Sequence, residues 1–576
     1  MDKKTIIIVG LLVLLLVFYY QILETLGLYT PPPEQPVTQN TEQLDSTYTD
    51  SAPQLTMTDT SGSTQTATMT ETVKDTASTT LLALDTVAVD TVYIETNKYK
   101  IALASLGGGP ISLLLNEYTY RNGDPIEMLP ENKEATPAIT FAGGTFSTSN
   151  LPFTSSLRPG NYSVTSEPLV LKYTYNHPEG GQIVRTFTFF PDTYHYDLDV
   201  SVTDPQKMGL NGRYSLIWNT PLGVTEPQPK TDYDAMEAVA MMGGSREKLN
   251  DFEDGKLKQS LEGYTTWAGV RNKYFTGVFI PKSREAESVF ARGTEEKVAL
   301  ANETVNKKEI IAGIDMLFAG SFVDSFEVYV GPLDYNIMSD YNVGLEDMLD
   351  IGTTPVVGWL IKIFAVPIMW LLPWMYKFIP NYGVVIILFA LFVKIITLPL
   401  SMKSFKSMNA MKEVQPKIDA LRKKYAKDPQ KLNSEIMKLY KEHGVNPMSG
   451  CLPMLPQMPL FFAMFSVFRS TILLRDAPFV WFIDDLSRGA ASFTDPLIIL
   501  VLFMIGAQFI SQKLTMSGGQ QQKAFMYIMP FFMGFIFYKF ASGLVLYWAC
   551  FSLFSLIDYF LFKRKAIKNP EVQTVS

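Results

Sequence analysis

The sequence predicts a polytopic α-helical membrane protein with six transmembrane helices and a large all-β domain outside the cytoplasm. Three observations predict it. Apolar runs of spanning length fall near the start and in roughly the last two hundred residues of the 576-residue chain, and a spanning helix needs about 20 apolar residues. Between them, from about 81 to 345, apolar and polar residues alternate and are punctuated by Asn-Gly and Gly-Gly pairs, the pattern of strands joined by tight turns. Basic residues gather beside particular apolar runs, which fixes an orientation across a membrane.

At the start, "MDKKTIIIVGLLVLLLVFYYQ" sets Lys3 and Lys4 before an apolar run from Ile6 to Tyr20. No small-residue cleavage site follows, so 1–24 reads as an uncleaved anchor with a cytoplasmic N-terminus rather than a signal peptide. Residues 25–80, rich in Thr, Ser, Gln and Pro, offer too little apolar surface to offset the entropy of ordering and read as a disordered tether. Stretches such as "VYIETNKYKIALASLGGG" and "HPEGGQIVRTFTFFPDTYHYDLDVSVTDP" then describe an antiparallel β domain over 81–345, read as a sandwich. The two cysteines, Cys451 and Cys550, fall in or beside later spans and exclude a disulfide framework or a CxxC metal site. Three histidines (His177, His195, His443) leave little for metal or triad chemistry, so no cofactor or metal is expected. The net charge of −8 carries little weight, because basic residues are not pooled on the β domain, and direct nucleic-acid recognition is not expected.

The segment 353–380 is apolar yet holds Lys362, Lys377, three tryptophans and internal prolines, so it can span or lie in the interface. Charge decides between these. The eleven Lys and Arg from Lys403 to Lys441 belong in the cytoplasm, as does the terminal "KRKAIK", and a non-spanning 353–380 keeps both there. An interfacial amphipathic helix is therefore expected over 353–380. Spans follow at 383–402, 454–474, 495–513, 524–541 and 543–562, with a cytoplasmic helical hairpin over 403–452 broken at Asp428-Pro429, and 566–576 as a cytoplasmic tail. The loop "RDAPFVWFIDDLSRGAASFTD" carries Asp476, Asp484, Asp485 and Asp495 and belongs outside. Arg469, Arg475 and Asp558 lie near span ends, where snorkelling to water is expected.

One charge sits where snorkelling is hard. Lys394 lies about 16 Å into its span at 1.5 Å per residue, where a cation costs on the order of 3 kcal/mol. It is expected in a wet or polar intramembrane cavity, with Gln508, Tyr547 and Trp548 as candidate lining residues; singly, each also suits helix packing or an interface aromatic. Lys412, Lys417, Arg422, Lys423 and Lys424 on the hairpin read either as a solvated face or as a contact for anionic lipid or an acidic client. The spans hold no paired acids for a proton relay.

Five ordered motifs, "VKIITLPLS", "VQPKIDALRKKY", "VNPMSGCLPMLPQMPLFFAMF", "LRDAPFVWFIDDLS" and "SGLVLYW", resemble those of the YidC membrane protein insertases over 353–565. The anchor and external β domain resemble the Gram-negative form of that family. The resemblance implies five core helices around a groove open to lipid and cytoplasm, a β-supersandwich periplasmic domain, and an inner-membrane location with both termini cytoplasmic. It implies a basic residue at the groove's centre, usually arginine, and Lys394 stands at the matching position: the charge is kept, but the bidentate fork is not. The implied activity is insertion and folding of newly made membrane proteins, alone or with the Sec translocon, with no covalent chemistry. Nascent membrane proteins, the Sec translocon, the ribosome and anionic lipids are the implied partners.

Two other classes compete. A solute or ion transporter would use a lysine-lined cavity but calls for inverted repeats and broken half-helices, and no duplication is evident. An anchored carbohydrate-active enzyme needs a pair of acids or a histidine on neighbouring strands, and leaves the C-terminal spans without a purpose.

Overall fold

The structure, a computed structural model, describes residues 90–130, 134–300, 304–352, 358–426, 428–444, 454–515 and 520–568. The expected anchor 1–24, tether 25–80 and tail from 569 lie outside the described residues.

Strands run from Thr91–Glu95 to Phe322–Pro332 and form a five-stranded and a fifteen-stranded sheet. In the larger sheet the strands Gly212–Trp218, Thr304–Phe318, Ala286–Ala299, Lys256–Arg271, Phe275–Pro281, Phe322–Pro332, His195–Thr203, Gln182–Phe189 and Leu169–Asn176 lie side by side, each antiparallel to the next. Alternation in the sequence becomes alternation in burial: along Gln182–Phe189 every second side chain is buried. Arg185 occupies one of those inward positions. Its guanidinium donates to the carbonyls of Gly107 (2.8 Å) and Pro137 (2.7 Å) and so ties the large sheet to the loops of the small one. Burial pushes this guanidinium down to about 10, which leaves it charged at neutral pH. At Gly277 a Cβ would lie 2.6 Å from the ring of buried Trp218, so glycine is what lets this strand pass beneath the indole.

Two short helices, α1 (Pro229–Ala235) and α2 (Tyr335–Ser339), belong to the β domain. Seven more follow among the described residues: α3 (Gly358–Tyr376), α4 (Tyr382–Lys424), α5 (Pro429–Glu442), α6 (Met454–Ser470), α7 (Ile498–Thr515), α8 (Gln520–Phe537) and α9 (Ser542–Lys568). Among the described residues α3 and the Tyr382–Met402 part of α4 are the two segments long and apolar enough to cross a membrane, while Ile498–Leu514, Tyr527–Phe537 and Ser542–Ile557 are shorter apolar stretches. Asn381 caps α4 by accepting from the Val384 amide at 3.1 Å, and Asp428 caps α5 by accepting from Lys431, with Pro429 at the first helical position. The α3 helix buries Ile361, Ala365, Ile368, Met369 and Leu372 on one face, but its other face presents Trp359, Ile363, Trp370 and Trp374. Along the described helix Gly358–Tyr376, the polar outer face expected of an amphipathic helix is therefore not present. Its one lysine, Lys362, instead pairs with Asp347 at 2.7 Å.

The β domain meets the helices at the loop between α6 and α7. Arg475, expected to snorkel, does not: its side chain is 6% exposed, its Nε donates to Glu226 at 2.7 Å, and it also bonds the carbonyls of Thr119 and Thr225. A guanidinium within reach of a buried carboxylate and two carbonyls has no need of bulk water. Arg121 adds a more exposed pair with Asp484 at 3.0 Å. The other acids of this loop are held locally, Asp495 by Arg488 and Asp485 by the amide and hydroxyl of Ser487.

Candidate functional site

Lys394 lies on α4 among Val393, Ile395 and Ile396, and no carboxylate follows until Glu413. Its side chain is nonetheless buried, turned inward onto α9. There its Nζ donates to Ser555 Oγ at 2.9 Å and stands 4.9 Å from the Phe551 ring centroid. Ser555 passes its own proton to the Phe551 carbonyl one turn back, so its lone pairs remain for the ammonium. A hydroxyl and an aromatic face both help to solvate a cation. Nearby, Thr397 and Ser401 donate to carbonyls one turn back on α4, beside Pro399, which itself cannot donate.

One turn before Phe551, Tyr547 stacks on it at 5.9 Å and meets Phe389 of α4 at 6.1 Å. Its hydroxyl is buried without a partner in good hydrogen-bond geometry, and the side chain of Gln457 from α6, whose Nε2 likewise lacks one, comes close enough to interact with it. Trp548 turns away from this set, between Phe461 and Phe537, with a buried and unpartnered Nε1. On α7, which packs against α9, Gln508 and Gln512 each bury an unpartnered side-chain carbonyl. Among the described residues, eleven buried side-chain polar atoms lack a partner, and these five in α6, α7 and α9 are the ones in the helical region. Each costs about 1–3 kcal/mol if left dry.

Of the residues named from sequence, Lys394 and Tyr547 are thus joined through Phe551. Gln508 is set in the helix that packs on α9, and Trp548 serves the facing α6–α8 contact. Ser555, Gln457 and Gln512 were missed, although a serine or glutamine inside an apolar run is a readable signal. On the hairpin, Val414 and Ile418 of α4 pack with Ile436, Leu439 and Tyr440 of α5. Lys417, Arg422, Lys423 and Lys424 are exposed on its outer surface, with Lys417 at 2.7 Å from His443 and Arg422 at 3.6 Å from Asp419. The side chain of Lys412 lies outside the described residues.

Two family profiles match end to end: "YidC periplasmic domain" over residues 91–371 and "60Kd inner membrane protein" over 374–569. The protein named membrane protein insertase YidC from Chlorobium phaeovibrioides is 33% identical over 488 residues, covering 81% of this chain and 82% of its own. Its namesake from Chlorobaculum tepidum is 34% identical over 486 residues, covering 81% and 80%. The chain belongs to the YidC membrane protein insertase family. A crystal structure of an active YidC insertase with its first transmembrane domain resolved is 20% identical, covers 84% of this chain and 97% of that one, and superposes with a TM-score of 0.34. Membership in the YidC family makes the β domain the periplasmic domain and makes the protein an inner-membrane insertase rather than an enzyme.

Proposed function

We propose that this insertase works through a hydrophilic, positively charged groove between α4, α6, α7 and α9, with Lys394 as its charge and Gln508, Tyr547 and Trp548 among its lining. The single observation that carries the reading is the buried Lys394 ammonium on Ser555, in a bundle where five buried polar atoms lack partners. Polar groups in such number call for water or for a guest that supplies hydrogen bonds. A wet notch lowers the desolvation cost of passing a client's hydrophilic tail while its apolar helix moves into lipid, and the ammonium attracts tails that carry Asp or Glu.

The proposed topology has α4, α6, α7, α8 and α9 crossing together with the anchor 1–24, α3 along the periplasmic surface, and both termini in the cytoplasm. Support for α3 comes from its two ends. Its first turns are tied to the periplasmic side by Lys362–Asp347. Its last residues lead at once into α4, where Gly383 abuts Phe479 of the loop that grips the β domain. Both ends thus lie on the β-domain side, and the exposed tryptophans between them suit the headgroup region. The hairpin's exposed Lys417, Arg422, Lys423 and Lys424, together with Lys412, offer a surface to anionic lipid or to arriving clients. The Sec translocon and the ribosome complete the proposed partners.

The test is an insertion assay that compares acidic and neutralised versions of one client at matched protein levels. Lys394→Arg is expected to keep activity, because it retains the charge. Lys394→Ala and Lys394→Glu are expected to lose insertion, most for the acidic client. Equal activity of Lys394→Ala and the unaltered protein on the acidic client would show the lysine to be a bystander.

A further inference from the structure

A cavity of about 510 Å³ opens on the periplasmic domain between the large sheet and the segment leading to α3, and Lys98, Tyr194, His195, Glu327 and Tyr341 are among its walls. His195 and Asp197 are two residues apart on one strand and face the same side. Glu327, on the next strand, is the register partner of Asp197. A ring nitrogen of His195 and one carboxylate oxygen each from Asp197 and Glu327 lie within 4.8 Å of one another.

This arrangement is costly without a cation. Carboxylates directly opposite on antiparallel strands repel. Lys282 offsets part of this, reaching Glu327 Oε2 at 3.5 Å and acting on Asp197 through its charge, while Asp197 Oδ1 stays buried without a hydrogen-bond partner. Tyr341 meets His195 Nδ1 at 2.7 Å and so orients the ring, with Nε2 standing 3.2 Å from Glu327 Oε1. A hydroxyl can donate or accept, so this contact suits either tautomer, including the one that frees Nε2 as a ligand.

We propose that His195, Asp197 and Glu327 bind a divalent cation of the zinc type, with the remaining coordination positions open to the cavity for water or another oxygen ligand. One imidazole and two carboxylates suit Zn²⁺, with ligands at about 2.0–2.2 Å, whereas Mg²⁺ favours all-oxygen octahedra. Lys282 then acts as a resident competitor for Glu327.

The test is calorimetric titration of ZnCl₂ into the chelator-stripped, tag-free full chain in detergent. One Zn²⁺ per chain is expected. His195→Gln and Glu327→Gln should each weaken binding by at least about tenfold, as loss of a ligand does, and His177→Gln should leave it unchanged. Lys282→Met should tighten it, an outcome that misfolding cannot produce. Absence of Zn²⁺ binding below about 1 mM, an affinity near the weakest specific sites, would overturn the proposal. So would equal affinity of His195→Gln and the unaltered protein, or MgCl₂ binding as tightly as ZnCl₂.

Discussion

Lys394 and Arg475 show what a residue reveals by itself and what it conceals. A lysine inside an apolar run is an anomaly, because its cost in lipid calls for a purpose. Arg475 looked ordinary because its partner Glu226 lies 249 residues away, and no local pattern pairs them. Their environments differ in sign. Burial raises the Glu226 carboxyl more than Arg475 lowers it. Burial also works against the Arg475 guanidinium, but Glu226 and then Asp476 outweigh it. Such a pair contributes little net stability beyond what well-packed apolar residues would give. Arg475→Ala should therefore cost about 3–5 kcal/mol at this contact by stranding a buried carboxylate, whereas Glu226→Met with Arg475→Met should come close to neutral. Thermal unfolding of the two single variants and the double variant in detergent checks this, and additive losses would contradict it. The His195, Asp197 and Glu327 cluster escaped sequence reading for the same reason, since its third member lies far along the chain.

At the level of elements, the apolar runs after residue 353 overlap helices whose ends fall elsewhere. The apolar stretch 383–402 is the first half of α4, which continues to Lys424 because helical hydrogen bonding is a backbone property and does not stop where the side chains turn polar. Strands were readable from their period of two, but not their order, which rests on contacts between distant segments. Turn glycines were visible as turns; Gly277 was not, because its reason is the indole of Trp218 lying across it. Gly277→Ala should destabilise the periplasmic domain by about 1–3 kcal/mol through overpacking, measured by denaturant unfolding. For the hairpin, a cysteine at exposed Ser434 on α5 should resist an impermeant thiol reagent in intact cells and react once the membrane is opened. Labelling from outside would reverse the proposed topology.

Across the whole molecule, the five sequence motifs lie in the helical half, and the β domain holds it at the loop around Arg475 and Asp484 and at the Lys362–Asp347 pair on α3. Deletion of about 90–320, with the tether kept, should therefore leave insertion of simple clients measurable in cells; loss of every client would assign the domain an essential part. The long α4 adds a mechanical consequence. Pro399 lies five residues beyond Lys394 and removes a rung from the helix ladder, the usual place for a rod to pivot. From there to Lys424 is about 37 Å at 1.5 Å per residue. A swing of roughly 10° at that pivot would carry the hairpin tip through an arc of about 6 Å by the same geometry, while the ammonium stays moored to Ser555. On the proposed topology the hairpin thus has the leverage of an oar: it can sweep a wide radius without dragging Lys394 out of register.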